Sequence, residues 1–179
     1  MKKISLVSII SLIVLFAGSG YLVAQPSQGQ STHDLTITVN ILEWYDLSIG
    51  ETEITFDDQA PPASATPGTV SIPANENSVS VRVFAILVPT NSLQLTVLAN
   101  SDLVDGTKTI GIEAISWSAS GDGYVAGIMS KTTNVSAGSW SGAVFHWHTG
   151  TFDYFFERNY TTQEPGTYTA TVTYTLSSP

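Results

Sequence analysis

The stretch Tyr168 to Leu176, YTATVTYTL, changes character at every residue: Tyr168, Ala170, Val172, Tyr174 and Leu176 share one parity, and Thr169, Thr171, Thr173 and Thr175 share the other. Only an extended backbone turns every second side chain to the same side, so this stretch is expected to form a strand with one apolar and one hydroxyl-bearing face. The same period appears in LTITVNI, where Leu35, Ile37, Val39 and Ile41 oppose Thr36, Thr38 and Asn40. It resumes in Tyr45, Leu47 and Ile49 after a break at Leu42-Glu43-Trp44, which reads as a bulge or turn. Further short runs follow: TEITFD (52–57), TVSIP (69–73), SVSVRVFAILV (78–88), LQLTVLA (93–99), TIGIEAISW (109–117), YVAGIM (124–129), AVFHWH (143–148) and FDYFFE (152–157). Gly, Pro, Asn and Asp separate them at intervals of roughly 8 to 15 residues. Outside the N-terminal segment no apolar repeat at helical spacing runs beyond two turns. The expected fold is therefore all-β, a sandwich in preference to a barrel, of about 8–10 strands that follow an N-terminal signal helix.

Within such a sandwich SVSVRVFAILV turns apolar on both faces toward Ala85-Ile86-Leu87-Val88, as a central strand does. The two most regular strands are the first and the last. Terminal strands often lie at sheet edges, where unpaired N–H and C=O groups admit a strand from another chain. Leu35, Ile37, Val39 and Ile41, together with Tyr168, Val172, Tyr174 and Leu176, are accordingly the candidate assembly strands.

The N-terminus has a different logic. Lys2 and Lys3 precede an apolar run from Ile4 to Phe16, and small residues follow around Ala17, Gly18, Ser19 and Ala24. This three-part order is that of a secretory signal peptide, expected to span residues 1–24. The alternative is an uncleaved anchor, since Ile4 to Ala24 carries no charge. QPSQGQSTHD, residues 25–34, is a polar, Gly- and Pro-bearing leader, and residues 35–179 make one domain. The expected location is secreted or at the cell surface.

Composition narrows the function classes. Six Lys and Arg stand against fifteen Asp and Glu, a formal charge of −9, and two of the six cations lie in the signal segment. Such a surface repels phosphate backbones, so nucleic acid is not an expected partner, and a membrane is met only through the signal segment during export. The chain has no cysteine, which removes disulfides and thiolate chemistry and leaves stability to packing.

His146-Trp147-His148 is the sharpest chemical signal. Residues two apart on a strand project from one face, so both imidazoles can approach one metal ion. A third ligand is needed, and Asp153, Glu157 and His33 are the candidates, the first two on the partner strand of a hairpin turning at Thr149-Gly150-Thr151. A metal is the one cofactor considered, and the plainer reading is two surface imidazoles. Asn100, Asp102, Asp105-Gly106 and Asp122-Gly123 supply loop oxygens, but none matches a twelve-residue calcium loop and Asp-Gly is turn chemistry first. Asp57-Asp58 reads as a solvated strand end. Trp140 and Trp147 lie in an aromatic-rich stretch that reads either as a sugar-stacking platform or as core, with Phe152, Tyr154 and Phe156 on one parity and packed inside. There is no G-x-S-x-G elbow and no Gly-rich phosphate loop before a helix. No catalytic residue is assigned, and the chain is not expected to be an enzyme.

The ending PGTYTATVTYTLSSP resembles the C-terminal end of WxL-type domains, secreted bacterial β-sandwiches in which a Gly-Thr-Tyr turn leads into a last strand bearing Trp-x-Leu. Tyr174-Thr175-Leu176 takes the Trp-x-Leu place, so tyrosine stands where that family carries the tryptophan tied to its noncovalent wall attachment. Trp117-Ser118-Ala119 lacks the leucine of the family's first motif. More broadly, LTITVNILEWYDLSI, NSLQLTVLANSDL, ISWSASGDGY and PGTYTATVTYTL together are similar to small fimbria-like surface proteins of bacteria, and this resemblance implies an immunoglobulin-like form of the β-sandwich. The resemblance implies a noncatalytic exported subunit, structural, adhesive or wall-associated, whose partners are copies of itself or a cell-wall polymer. The alternative is a secreted sandwich that binds carbohydrate or metal through Trp140, Trp147, His146 and His148.

Overall fold

The computed structural model describes residues 35–58, 68–87, 90–142 and 145–179. The signal segment, the leader with His33, the Pro-rich stretch 59–67 and residues 88, 89, 143 and 144 lie outside them. Two compact units divide the chain, Met1–Val39 and Asn40–Pro179. In the first, the described residues 35–39 carry no regular secondary structure. The second is an all-β sandwich. Among the described residues no helix is long and apolar enough to cross a membrane.

Ten strands are described: β1 (Trp44–Ile49), β2 (Thr69–Ile86), β3 (Ser92–Ala99), β4 (Leu103–Asp105), β5 (Lys108–Ile110), β6 (Ile115–Ser120), β7 (Gly127–Ile128), β8 (Val135–Ser141), β9 (His148–Asn159) and β10 (Val172–Ser177). One sheet has the order β1-β2-β9-β6-β7, the other β10-β3-β8, and β4 and β5 form a separate hairpin. Every strand pair is antiparallel. Alternation builds the core: Val79, Val81, Val83 and Ala85 of β2 point inward with Phe152 and Tyr154 of β9 and Trp117 of β6, and they meet Leu93, Leu95 and Val97 of β3 and Trp140 of β8.

Several expected boundaries are corrected. TVSIP and SVSVRVFAI of the next run are one strand, Thr69–Ile86, because the polar stretch between them is absorbed as a bulge: the pairing of β2 with β9 shifts between Pro73 and Ser78, and Asn77 takes the left-handed backbone at φ 56°. Proline cannot donate to the ladder, and a bulge is where a strand tolerates it. The expected hairpin at Thr149-Gly150-Thr151 is instead the start of the long strand β9. Gly150 is there for space, since a Cβ would run into the Ser120 carbonyl and the Tyr124 ring. Of AVFHWH, the described residues 145–147 form no strand and only His148 joins β9. TEITFD forms no strand, and YVAGIM contributes only the two residues of β7. The strand Val135–Ser141 was hidden by its Ser and Gly content. At Asp105-Gly106 the turn reading holds: it closes the β4–β5 hairpin, with Gly106 at φ 60°.

Candidate functional site

Burial along the last stretch alternates as its sequence does. Tyr168, Ala170, Val172, Tyr174 and Leu176 are half-buried, and every threonine from Thr167 to Thr175 is exposed. The regular strand is shorter than the alternation, Val172–Ser177, because upstream the chain leaves β3 to pair with β4, where Thr169 and Val104 exchange both backbone hydrogen bonds at 3.0 Å. Thr171 in turn accepts from the Asn100 N–H at 2.9 Å. In an antiparallel ladder the peptide groups of alternate residues point to opposite sides. Thr169 and Thr171 therefore spend their backbone groups on β3 and β4, while those of Val172, Tyr174 and Leu176 face the far side, where β10 has no neighbouring strand among the described residues.

The other edge of the same sheet is treated differently. Along the outside of β8, Val125 donates to the Ala137 carbonyl at 3.1 Å and Ser139 donates to the Gly123 carbonyl at 2.9 Å. The segment is pinned by Trp117, whose indole N–H reaches the Val125 carbonyl at 2.9 Å. One edge of the three-stranded sheet is thus bonded to a neighbouring segment, and the other, β10, has no strand bonded to it among the described residues.

Beside this edge the described residues leave the sandwich open. A cleft of about 830 Å³ runs between residues 51–58 and residues 164–174, with Ile54, Phe56, Ile112, Phe156, Val172 and Tyr174 among its lining and Glu51, Glu53, Asp57 and Glu164 among its acidic groups. Three fastenings hold its walls. On one side Thr55 gives its backbone N–H and hydroxyl to the Glu76 carboxylate, at 2.9 and 2.6 Å. Asp58 accepts from Nε of the buried Arg158 at 3.0 Å and from the Tyr160 hydroxyl at 3.0 Å. The Arg158 guanidinium also donates to the Gln163 carbonyl and lies over the Tyr160 ring. Across the sandwich, the hydroxyls of Tyr154 in β9 and Tyr174 in β10 are 2.6 Å apart. Burial pushes the Tyr174 phenol far above its ordinary range, with Tyr154 adding to it, and burial raises Tyr154 as well.

The first candidate assembly segment behaves unlike the last. Leu35, Ile37, Val39 and Ile41 are 83, 77, 73 and 86% exposed, and the expected opening strand does not form; regular pairing starts only at Trp44. Alternation supplies the propensity, but a strand also needs a neighbour for its N–H and C=O groups and for its apolar face. Such an exposed apolar row is unusual on a soluble chain.

Other candidates resolve as follows. His146 and His148 do meet, with ring centroids 4.4 Å apart. His148 rests on Trp140, and burial, then the neighbouring His146, lowers its pKa. Among the described residues no third His, Cys, Asp or Glu completes a metal-holding group. Asp153, expected across a hairpin, lies on β9 itself and is bonded to Ser78 and Ser118. Glu157 is on that strand too. Trp140 is only 6% exposed, its indole N–H donating to the Asp122 carbonyl at 2.9 Å, so it belongs to the core and not to a platform. Trp147 remains 40% exposed, against Phe84 and beneath the Arg82 guanidinium. Asp102 is engaged by Lys131 and the Ile112 N–H, which together hold its carboxyl below the usual range.

The cleft, the Tyr154–Tyr174 contact and the Arg158 clasp were not foreseen in the sequence. One signal pointed to the clasp: Arg158 shares the inward parity of Phe152, Tyr154 and Phe156, a place where a cation requires a partner. No protein-family model matches the chain, and no curated protein matches it.

Proposed function

We propose that the chain is a noncatalytic, exported structural subunit at the cell surface that assembles with copies of itself by strand addition. The single observation that carries this reading is the alternating apolar row Leu35, Ile37, Val39 and Ile41, exposed and outside any strand. A row of this kind gains from burial only by joining a sheet, where backbone hydrogen bonds supply affinity and the apolar side chains fix the register. The acidic charge keeps individual copies soluble and disfavours face-to-face association, which leaves an uncharged segment as the better means of contact. The basic, then apolar, then small-residue order of residues 1–24 supports export, and the polar leader 25–34 supports a tether that gives residues 35–41 their reach.

The test is removal of residues 25–41. The expected outcome is loss of filaments or other polymer by negative-stain microscopy, with most of the sheet signal in circular dichroism retained. Polymer that survives the deletion, or a chain that unfolds completely, refutes the reading.

A further inference from the structure

We infer that the acceptor for this strand is the outer edge of β10, with the apolar side chains of residues 35–41 from a second copy seated in the cleft between residues 51–58 and 164–174. The inference rests on the assembly reading above and adds to it the surface and the direction of contact. Three observations lead to it.

The first is the coincidence of backbone and side chain on β10. Val172, Tyr174 and Leu176 turn half-buried side chains toward the cleft and the core, and the same residues present the backbone groups that β3 does not use. A strand laid against this edge meets hydrogen-bond partners and an apolar wall at once. The second is fit. LTITVNI extended covers roughly 23 Å and the six residues of β10 roughly 20 Å, so the segment matches the edge to within about one residue. Its four apolar residues repeat with the same period of two as the wall they would face. The third is charge. Glu51, Glu53, Asp57 and Glu164 stand among the lining of the cleft, so an acidic segment would be repelled, whereas residues 35–41 contain no ionisable group. The terminal strands of the five-stranded sheet, β1 and β7, contribute only Ile49 to the cleft. A strand added there would leave the space between the sheets unfilled.

The chain has no cysteine, so single cysteines can report the contact. One preparation carries Thr38→Cys, on the face of the segment away from the cleft. A second, larger by an affinity tag, carries Thr173→Cys, with Thr171→Cys and Thr175→Cys to scan register and Ser48→Cys on β1 for comparison. The preparations are mixed as dispersed full chains, allowed to assemble, oxidised and resolved by size without reductant. The expected result is a mixed disulfide from at least one β10 position that exceeds the Ser48 product about tenfold. Equal or stronger cross-linking at Ser48, or polymer with no β10 cross-link, overturns the inference and leaves the assembly reading standing. If the parent chain forms no polymer and no position cross-links, both fail. A monomeric loop in a chain carrying Thr38→Cys and Thr173→Cys together, in place of the mixed disulfide, overturns the inference in favour of the chain's own segment.

Discussion

Removing the hydroxyl of Tyr154 or Tyr174 tests whether the two sheets are fastened beside the cleft as described. The hydroxyls are 2.6 Å apart, on β9 and β10, with Tyr154 buried and Tyr174 half-buried. In Tyr154→Phe the Tyr174 hydroxyl keeps its position in an apolar wall but loses its partner, and the reverse holds in Tyr174→Phe. An unsatisfied buried hydroxyl costs about 1–3 kcal/mol, whereas removing both partners costs little because neither is left stranded. Each single variant should therefore lose about 1–3 kcal/mol, or roughly 2–12 °C in Tm for a domain of this size. The double variant should lose no more than the worse single one. Urea denaturation of the dispersed monomer, followed by tryptophan fluorescence, gives the cycle. Losses in the double variant that equal the sum of the singles would refute the coupling. The pH dependence has a definite sign. Both phenols are raised in the folded chain, so they stay protonated where the unfolded chain ionises, from about pH 10. Their contribution to stability is complete below that pH and declines as the pH rises beyond it. The double Phe variant should show the shallower alkaline decline.

Two further outcomes concern the core and its rim. Phe152 is fully buried and touches the rings of Trp117, Tyr124, Tyr154 and Tyr174, so Phe152→Ala should cost about 3–5 kcal/mol in the same denaturation assay; a loss below about 1 kcal/mol would place that ring outside the core. At His148 the lowered pKa means that the unfolded chain takes up a proton first as the pH falls through about 6.5, so stability is lost on acidification. In His148→Phe that part of the acid loss should be absent, and an unchanged profile between pH 7 and about 5 would exclude His148 as its source.

The sandwich was legible because its evidence is local. Strict alternation in YTATVTYTL and the divided β-branched runs leave few folds other than stacked antiparallel sheets, and the inward parity of Phe152 and Tyr154 could be read directly. Boundaries that depend on a neighbour were not legible. Thr149-Gly150-Thr151 looks like a turn until Ser120 and Tyr124 are known to crowd Gly150. The polar stretch between Pro73 and Ser78 looks like a loop until β9 is seen to run past it. Trp140 was a platform candidate because aromatic side chains look the same in a platform and in a core; its burial and its indole bond to Asp122 place it. For the site, the sequence marked the two segments and their periods but not the cleft, whose walls come from residues 51–58 and 164–174, more than a hundred positions apart. The row at Leu35 to Ile41 shows the limit most clearly, because its alternation promises a strand while the partner that would make it one is not adjacent in sequence.

The most direct measurement compares the two faces of that row in the full chain. Ile37→Asp with Val39→Asp places carboxylates on the apolar face, and Thr36→Asp with Thr38→Asp places the same charge on the opposite face. Burying an ionised carboxylate in an apolar site costs several kcal/mol, and about 3 kcal/mol is already a loss of affinity above 100-fold. Sedimentation velocity across a concentration series should show the first pair of changes raising the concentration needed for assembly by at least about 100-fold, with the second pair shifting it far less. Equal effects from the two pairs, or none from either, would contradict the account that residues 35–41 are a strand awaiting its sheet.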